Sequence, residues 1–274
     1  MPIPAPGDLF REGKLVDAVA AQTALVRSSP ADVNHRWFLA ELLCFAEQWE
    51  RADQALDVIA AQATGMVPAV LRFRGLLRGE QTRRQVMGEG RAPQLIGASS
   101  ASLQPVVEAL LCLREGQPEA AARHIETAVA AAPAPSGFRN TTQPFDVFRD
   151  LDDVCSLFVE FITESGDYHW VSAVDLALLE PQELTRARDL IWRPCRLEIR
   201  DGPAGNVYLP AVYVADNINV ERDDALRLCR RTEWCEMPGP LVRGVGLRTF
   251  LVGDEDVPLH ELGILKFGAV GEAL

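Results

Sequence analysis

Between Glu12 and Gln62 the chain repeats itself at an offset of 34 residues: Leu15 falls opposite Trp49, Ala18 opposite Ala52, Ala21 opposite Ala55 and Leu25 opposite Ile59. That is the period of a tetratricopeptide-like helix–turn–helix unit. Such a unit cannot bury its apolar face alone, so it stacks on its neighbours and leaves a curved surface for binding. The front of the chain is therefore expected to be a helical array that offers a docking trough.

Apolar spacing and turn residues divide that array. Asp8 is placed to cap a short first helix that Gly13 ends, and Leu15, Ala18, Val19, Leu25 and Val26 then form a helical stripe. Ser29-Pro30 breaks the chain, and Asp32 is placed to cap the next helix. From Val33 to Ala46 apolar residues nearly encircle the helix, which a helix packed on two sides requires. Ala52, Ala55, Leu56, Ile59 and Ala63 give its partner a single stripe. A third unit starts at Pro68, with a helix from about Ala69 to Met87 that carries Arg72, Arg74, Arg78, Arg83 and Arg84, and Arg91 follows. This is the one basic patch on an acidic chain. It reads as a solvated face with partners one turn away, Glu80 among them, or as a contact for an acidic helix or an acidic part of the same protein. The solvated face is the simpler reading. Gly88 to Ser102 reads as a loop, and Leu103–Leu113 with Ala121–Ala132 as a last hairpin turned at Gly116-Gln-Pro118.

Pro133 to Pro144 is rich in Pro, Ser, Gly, Asn and Thr and reads as a linker or long loop. Beyond it the pattern changes. A helix is expected from Leu151 to Glu164, with Leu151, Val154, Phe158 and Phe161 inward and Gly166 as its stop. Tyr168–Val171 is β-like, and Val174–Leu179 fits either a strand or a short helix. Cys195–Arg200 alternates as a half-buried strand does, turns at Asp201–Gly205 and returns over Asn206–Val214. Leu247–Val252 alternates again, turns at Gly253–Asp256 and returns over Leu259–Phe267. The expected fold is α+β in two domains: a tetratricopeptide-like array over residues 1–132, a linker at 133–144, and a small, mainly antiparallel α+β domain over 145–274.

Charge excludes some functions. The 274 residues carry a net charge of −12, and nucleic-acid binding needs clustered Lys and Arg. Met1–Gly7 has no basic n-region or apolar core of a signal peptide, and no apolar run approaches the roughly 20 residues a membrane helix needs. A cytoplasmic protein is expected, without nucleic-acid or membrane partners. The six cysteines are scattered, with no C-x-x-C pair, and read as reduced thiols. There is no G-x-S-x-G, P-loop, H-E-x-x-H or strand-linked G-x-G-x-x-G. His35, His124, His169 and His260 lie outside metal-ligand spacing of one another. A Cys155–His169 nucleophile and base would need a coincidence of fold. Asp150, Asp152 and Asp153 read as a helix cap rather than a metal site. Trp192, among Arg186, Arg188, Arg193 and Arg196, reads as a buried anchor or as a cation–π patch. No catalytic residue, cofactor or metal is expected. From the residues alone, the chain is an acidic helical adaptor with a second domain.

Four blocks sharpen this: Val33–Asp53 (VNHRWFLAELLCFAEQWERAD), Arg188–Pro194 (RDLIWRP), Val207–Tyr213 (VYLPAVY) and Asp223–Trp234 (DDALRLCRRTEW). In content and order they resemble the ImpE/TagJ family, accessory proteins of bacterial type VI secretion clusters. Cys229 and Glu233 stand where that family usually has a Gly and an Asp. The resemblance implies a non-enzymatic cytoplasmic partner of the contractile sheath. Its members bind the N-terminal helix of the small sheath subunit and influence sheath assembly, or recycling by the associated AAA+ ATPase. A groove between stacked hairpins suits a helical guest. Asn34, Arg36, Glu41, Arg72 and Arg74, taken as exposed polar positions around the second and third hairpins, are the expected contact residues. The competing readings are a generic repeat scaffold for another secretion or chaperone component, and an enzyme with its site in the C-terminal domain.

Overall fold

Three turns in the helical half are copies of one another. Gly13, Glu47 and Gly116 each take positive φ, at 85°, 57° and 71°. The next residue in each case closes the same backbone bond: Lys14 N to Leu9 O at 2.9 Å, Gln48 N to Leu43 O at 2.9 Å and Gln117 N to Cys112 O at 2.8 Å. These are Schellman closures, which satisfy the last carbonyls of a helix and swing the chain back antiparallel. They join α1 (Pro6–Arg11) to α2 (Leu15–Ser28), α3 (Val33–Phe45) to α4 (Trp49–Gln62), and α6 (Gln104–Arg114) to α7 (Pro118–Ala131). The helix outside these three pairs is α5 (Val67–Arg84). The pairs α2/α4 and α3/α5 start 34 residues apart, as the repeat requires. Asp32 caps α3 by accepting from the Asn34 and His35 amides. The structure, a computed structural model, describes residues 4–214, 218 and 220–268; expectations for Met1–Ile3 and for 269–274 fall outside the described residues.

The C-terminal half is built on a nine-stranded sheet ordered β1-β6-β5-β9-β8-β7-β14-β2-β3. Its members are β1 (Gln94–Ile96), β2 (Gly137–Arg139), β3 (Gln143–Phe145), β5 (Phe158–Thr163), β6 (Tyr168–Ser172), β7 (Leu176–Pro181), β8 (Trp192–Ile199), β9 (Ala204–Pro210) and β14 (Leu265–Phe267). Every ladder in it is antiparallel except β1 on β6. A smaller sheet joins β4 (Phe148–Asp150), β12 (Thr249–Val252) and β13 (Glu255–Pro258), and β10 (Thr232–Met237) pairs with β11 (Leu241–Gly246). The chain is thus a helical array followed by a mainly antiparallel α+β domain, with a short helix α8 (Asp224–Arg227) before β10.

Four local expectations are overturned. The stretch 151–164 is not a helix: a tight turn at Asp153–Cys155 leads into β5. Leu151, Val154, Phe158 and Phe161 do fall at helical spacing, but Phe158 through Ile162 are buried on both faces between β6 and β9. A short continuous apolar run fits a central strand as well as a helix. The expected loop at 88–102 contains β1, and the expected linker contains β2 and β3. The return from the 253–256 turn is β13, while β14 crosses to pair with β7 and β2. Val174–Leu179 resolves into a 3-10 turn, Ala173–Asp175, followed by β7. The β8–β9 hairpin is as expected.

One apolar core runs from Leu9 to Leu265 through both halves. Its aromatic spine crosses the joint: Trp37 on α3 lies 5.5 Å from Phe73 on α5, and Trp192 on β8 lies 6.2 Å from both Phe73 and Trp49 on α4. α5 comes this close to the sheet because it has no side chain at Gly75 or Gly79. A Cβ at Gly79 would sit 2.5 Å from Ile162 Cγ2, and one at Gly166, in the β5–β6 turn, 2.6 Å from Gly75 O. The segment around α8 clasps the hairpin turns from outside. Asp224 accepts from the Leu15 amide at 2.8 Å, Arg230 donates to Phe10 O and Arg11 O, and Arg222 pairs with Glu47 at 2.8 Å. Cys229 holds φ +58° there, so the left-handed turn persists without a glycine.

Candidate functional site

The arginines of α5 do not share one role. Arg83 is buried and forks onto Glu160 of β5, Nε to Oε2 at 2.8 Å and Nη2 to Oε1 at 2.7 Å. Glu160 is also met by Arg248 Nη1 at 2.7 Å and by the Tyr168 hydroxyl. Burial pushes its carboxyl up, but the two guanidiniums overrule that and hold it near 2. The network spreads outward from there. Arg248 pairs with Asp150 at 2.5 Å, Tyr213 donates to Asp150 at 2.6 Å, and Arg243 grips Asp152. Glu80 takes Trp192 Nε1 at 3.2 Å and pairs with Arg83 and Arg84, while Arg84 reaches Glu47 at 2.6 Å. The basic stretch is thus partly a contact to acidic residues of the same protein, not a solvated face alone. Asp152 does cap a turn, accepting from Val154 N. Asp150 and Asp152 are also the buried anchors of Arg248 and Arg243. Buried ions of this kind tie two halves into one geometry more than they add stability.

Beside this joint, an open groove of about 640 Å³ lies between α4 and α5. Trp49 and Leu77 form its apolar floor; Glu50 and Asp53 stand on the α4 side, Arg74 and Arg78 on the α5 side. Arg74 forks onto Asp53, Nε to Oδ1 at 2.6 Å and Nη2 to Oδ2 at 2.7 Å, and reaches Asp57 at 3.1 Å. That bond lowers the Asp53 carboxyl below its ordinary range. Arg78 donates to Ser165 O at 3.2 Å. Arg84 lies 5.1 Å over the Trp49 ring and fixes it from one side. The groove therefore offers Trp49 and Leu77 between side chains of both signs, of which Asp53 and Arg74 are paired with each other.

The ImpE protein family model matches residues 142–266. A curated relative from Pseudomonas aeruginosa, named type VI secretion system accessory component TagJ, is 34% identical over 260 residues, spanning 95% of this chain and 90% of its own. The chain belongs to the ImpE/TagJ family. The crystal structure of protein VPA1032 from Vibrio parahaemolyticus has the same fold, with a TM-score of 0.88 at 24% identity over 96% of this chain and 97% of that one. The ImpE match takes in three of the four recognised sequence blocks, and each has a place in the joint. Arg188–Pro194 carries Trp192, Val207–Tyr213 carries the Tyr213 that binds Asp150, and Asp223–Trp234 carries the clasp on the hairpin turns.

Of the five expected contact residues, Arg74 alone lines the groove. Asn34 is exposed at the start of α3, Arg36 is half-buried and donates to Pro30 O, and Arg72 is exposed on another side of α5. Glu41 is a correction: it is buried, 4% exposed, and accepts from Trp37 Nε1 at 2.9 Å. A helix packed on two sides leaves few polar positions outside, and position 41 is not one of them. Sequence reasoning passed over Trp49, Asp53 and Leu77, and had Arg78 only as one member of the basic patch. The available signal was Trp49, a large aromatic where the first repeat has Leu15. Cys155 is fully buried, and burial pushes its thiol well above the usual range. His169 stacks on Phe161 at 5.4 Å, and no hydrogen bond joins it to Cys155 among the described residues. Trp192 is the buried anchor, while Arg186 and Arg188 lie over the Trp37 ring instead.

Proposed function

We propose that this chain is a non-enzymatic adaptor acting in the cytoplasm on a type VI secretion apparatus. The α4–α5 groove receives the N-terminal helix of the small contractile-sheath subunit. By holding that helix, the protein bears on sheath assembly or on recycling by the associated AAA+ ATPase. The observation that carries this reading is the groove itself. It is open between two helices, floored by Trp49 and Leu77 and bordered by Glu50, Arg78 and the paired Arg74 and Asp53. An amphipathic helix lays its apolar face into such a floor and matches the border with its flanks. Locked side chains lose little entropy on binding, which favours affinity. The α3 side of the array is not open in the same way, because it packs on the 187–190 turn, and α5 packs on β5 and β6.

The test is capture of the small sheath subunit, with and without its N-terminal helix, by the intact protein. The full-length subunit is retained and the truncated one is lost. Arg78→Glu, which reverses a border charge, weakens retention. Equal capture of both forms of the subunit rules the contact out.

A further inference from the structure

Arg188 is 8% exposed, and its guanidinium makes no hydrogen bond among the described residues. Nε and Nη1 are fully buried without a partner, which leaves Nη2 as the nitrogen at the surface. Buried polar groups go unpaired rarely, and a guanidinium has five N–H donors to satisfy. What surrounds Arg188 meets its faces and not its edge: it lies 4.5 Å over the Phe73 ring and 5.3 Å over Trp37. The nearby carboxylates of Glu41 and Asp189 attract its charge through space but give it no hydrogen bond. Glu41 takes the Trp37 indole N–H at 2.9 Å, and Asp189 takes the amides of Thr185 and Arg186 at 2.8 and 2.9 Å. Burial disfavours the Arg188 cation most, Glu41 offsets part of that, and a second guanidinium, that of the exposed Arg186 5.3 Å over the same indole, adds a smaller repulsion. Leu184, two residues before it, is 41% exposed.

We propose that Arg186 and Arg188 form a receiving site for an acidic side chain of a partner polypeptide. An arriving carboxylate supplies the missing acceptor to Arg188 Nη2 and neutralises the repulsion between the two cations. Guanidinium forks match carboxylates two bonds at a time, and a fork already flattened on aromatic rings loses little freedom on binding. The occupant is a polypeptide because Leu184 and Arg186, both exposed on the same short loop, offer an apolar and a charged contact together. Its residues, on the 184–188 loop and over Trp37 and Phe73, differ from those lining the α4–α5 groove. Its failure would leave the groove reading untouched.

The test uses the full-length protein and three probes: a fluorescein-labelled peptide of Glu-Leu-Ala-Ala repeats, its Gln-Leu-Ala-Ala counterpart, and inorganic phosphate. The glutamate peptide binds, more weakly as salt rises, and the glutamine peptide does not. Arg188→Met and Arg186→Gln each weaken binding at least about tenfold. Arg188→Met also leaves the thermal midpoint unchanged or raised, because a buried guanidinium without a hydrogen bond is replaced by an apolar chain of similar reach. The proposal is overturned by no binding of the glutamate peptide, by equal binding in the variants, or by phosphate competing as well as the peptide. A marked fall in thermal midpoint for Arg188→Met would overturn it too, since Arg188 would then be a structural brace.

Discussion

Glu160 is 0% exposed and shares its charge with two arginines instead of water. Glu160→Gln would leave Arg83 and Arg248 facing each other across a neutral amide. Removing one member of a buried ionic set costs about 3–5 kcal/mol, because the remaining charge stays desolvated. A urea titration of the variant at neutral pH should show that loss; a change within experimental error would mean the arginines find other partners. His260 gives a second, pH-dependent prediction. Burial, helped by Arg193, lowers its imidazole to about 4, against about 6.5 in an unfolded chain. The folded-state value is depressed, so the unfolded chain binds the proton first. The stability His260 contributes is therefore complete above about pH 6.5 and is lost as the pH falls toward 4. Asp150 works in the opposite direction over nearly the same range. Burial pushes its carboxyl up to about 6, so the folded state takes its proton first. The wild-type profile mixes the two, and the variant separates them. Relative to wild type, His260→Leu should gain about 2.5 kcal/mol between pH 7 and pH 4.5. A difference in unfolding free energy that does not vary with pH would show that His260 titrates normally.

Two glycines separate backbone strain from packing at the level of elements. Gly116 has φ +71° and nothing within 4 Å of where a Cβ would stand, whereas Gly166 has φ +94° and would place that carbon 2.6 Å from Gly75 O. Gly116→Ala should cost only the left-handed backbone term, about 1–2 kcal/mol. Gly166→Ala should cost that and also push α5 off the β5–β6 turn, for a total of about 3 kcal/mol or more. Equal losses in chemical denaturation would mean that α5 yields freely at this contact. The same distinction between local and distant causes explains what the sequence disclosed. The 34-residue offset is local: Leu15 and Trp49 open equivalent helices after equivalent turns, and each turn is written in neighbouring residues. The β8–β9 hairpin was legible for the same reason, as Asp201–Gly205 forces the return. Leu151–Thr163 was not, because its apolar residues satisfy a helical period and a buried strand together, and only pairing with β6 and β9 decides between them. Nor was the role of Arg83, whose partner lies 77 residues away. Of the groove, Arg74 was found and Glu41 misplaced, since spacing gives the face of a helix but not which faces are covered.

At the scale of the whole molecule, the helical and sheet halves share one interior. The core that begins at Leu9 continues to Leu265, and β1, from between α5 and α6, forms an edge of the large sheet by pairing with β6. Arg83 and Glu80 of α5 satisfy Glu160 and Trp192 of the sheet, and Asp224 and Arg230 satisfy backbone groups at the α1–α2 turn. If the halves parted, Trp37, Phe73 and Trp192 would lose their mutual cover, and Arg83 would lose its fork onto Glu160 and keep only Glu80 of its own helix. Each of those losses is a large share of the roughly 5–15 kcal/mol that typically separates folded from unfolded protein. Repeat arrays often unfold piecemeal, because each unit touches only its neighbours, and chains of this length commonly populate intermediates. Here the joint opposes that. Far-ultraviolet circular dichroism, which follows the helices, and near-ultraviolet circular dichroism, which follows the aromatic spine, should report one coincident transition in urea. A fragment limited to residues 1–132 should keep helical signal but bind a hydrophobic dye and lack a sharp transition. An early near-ultraviolet loss that leaves the helical signal intact would instead mean that the array stands alone, with the sheet half as a separable cover.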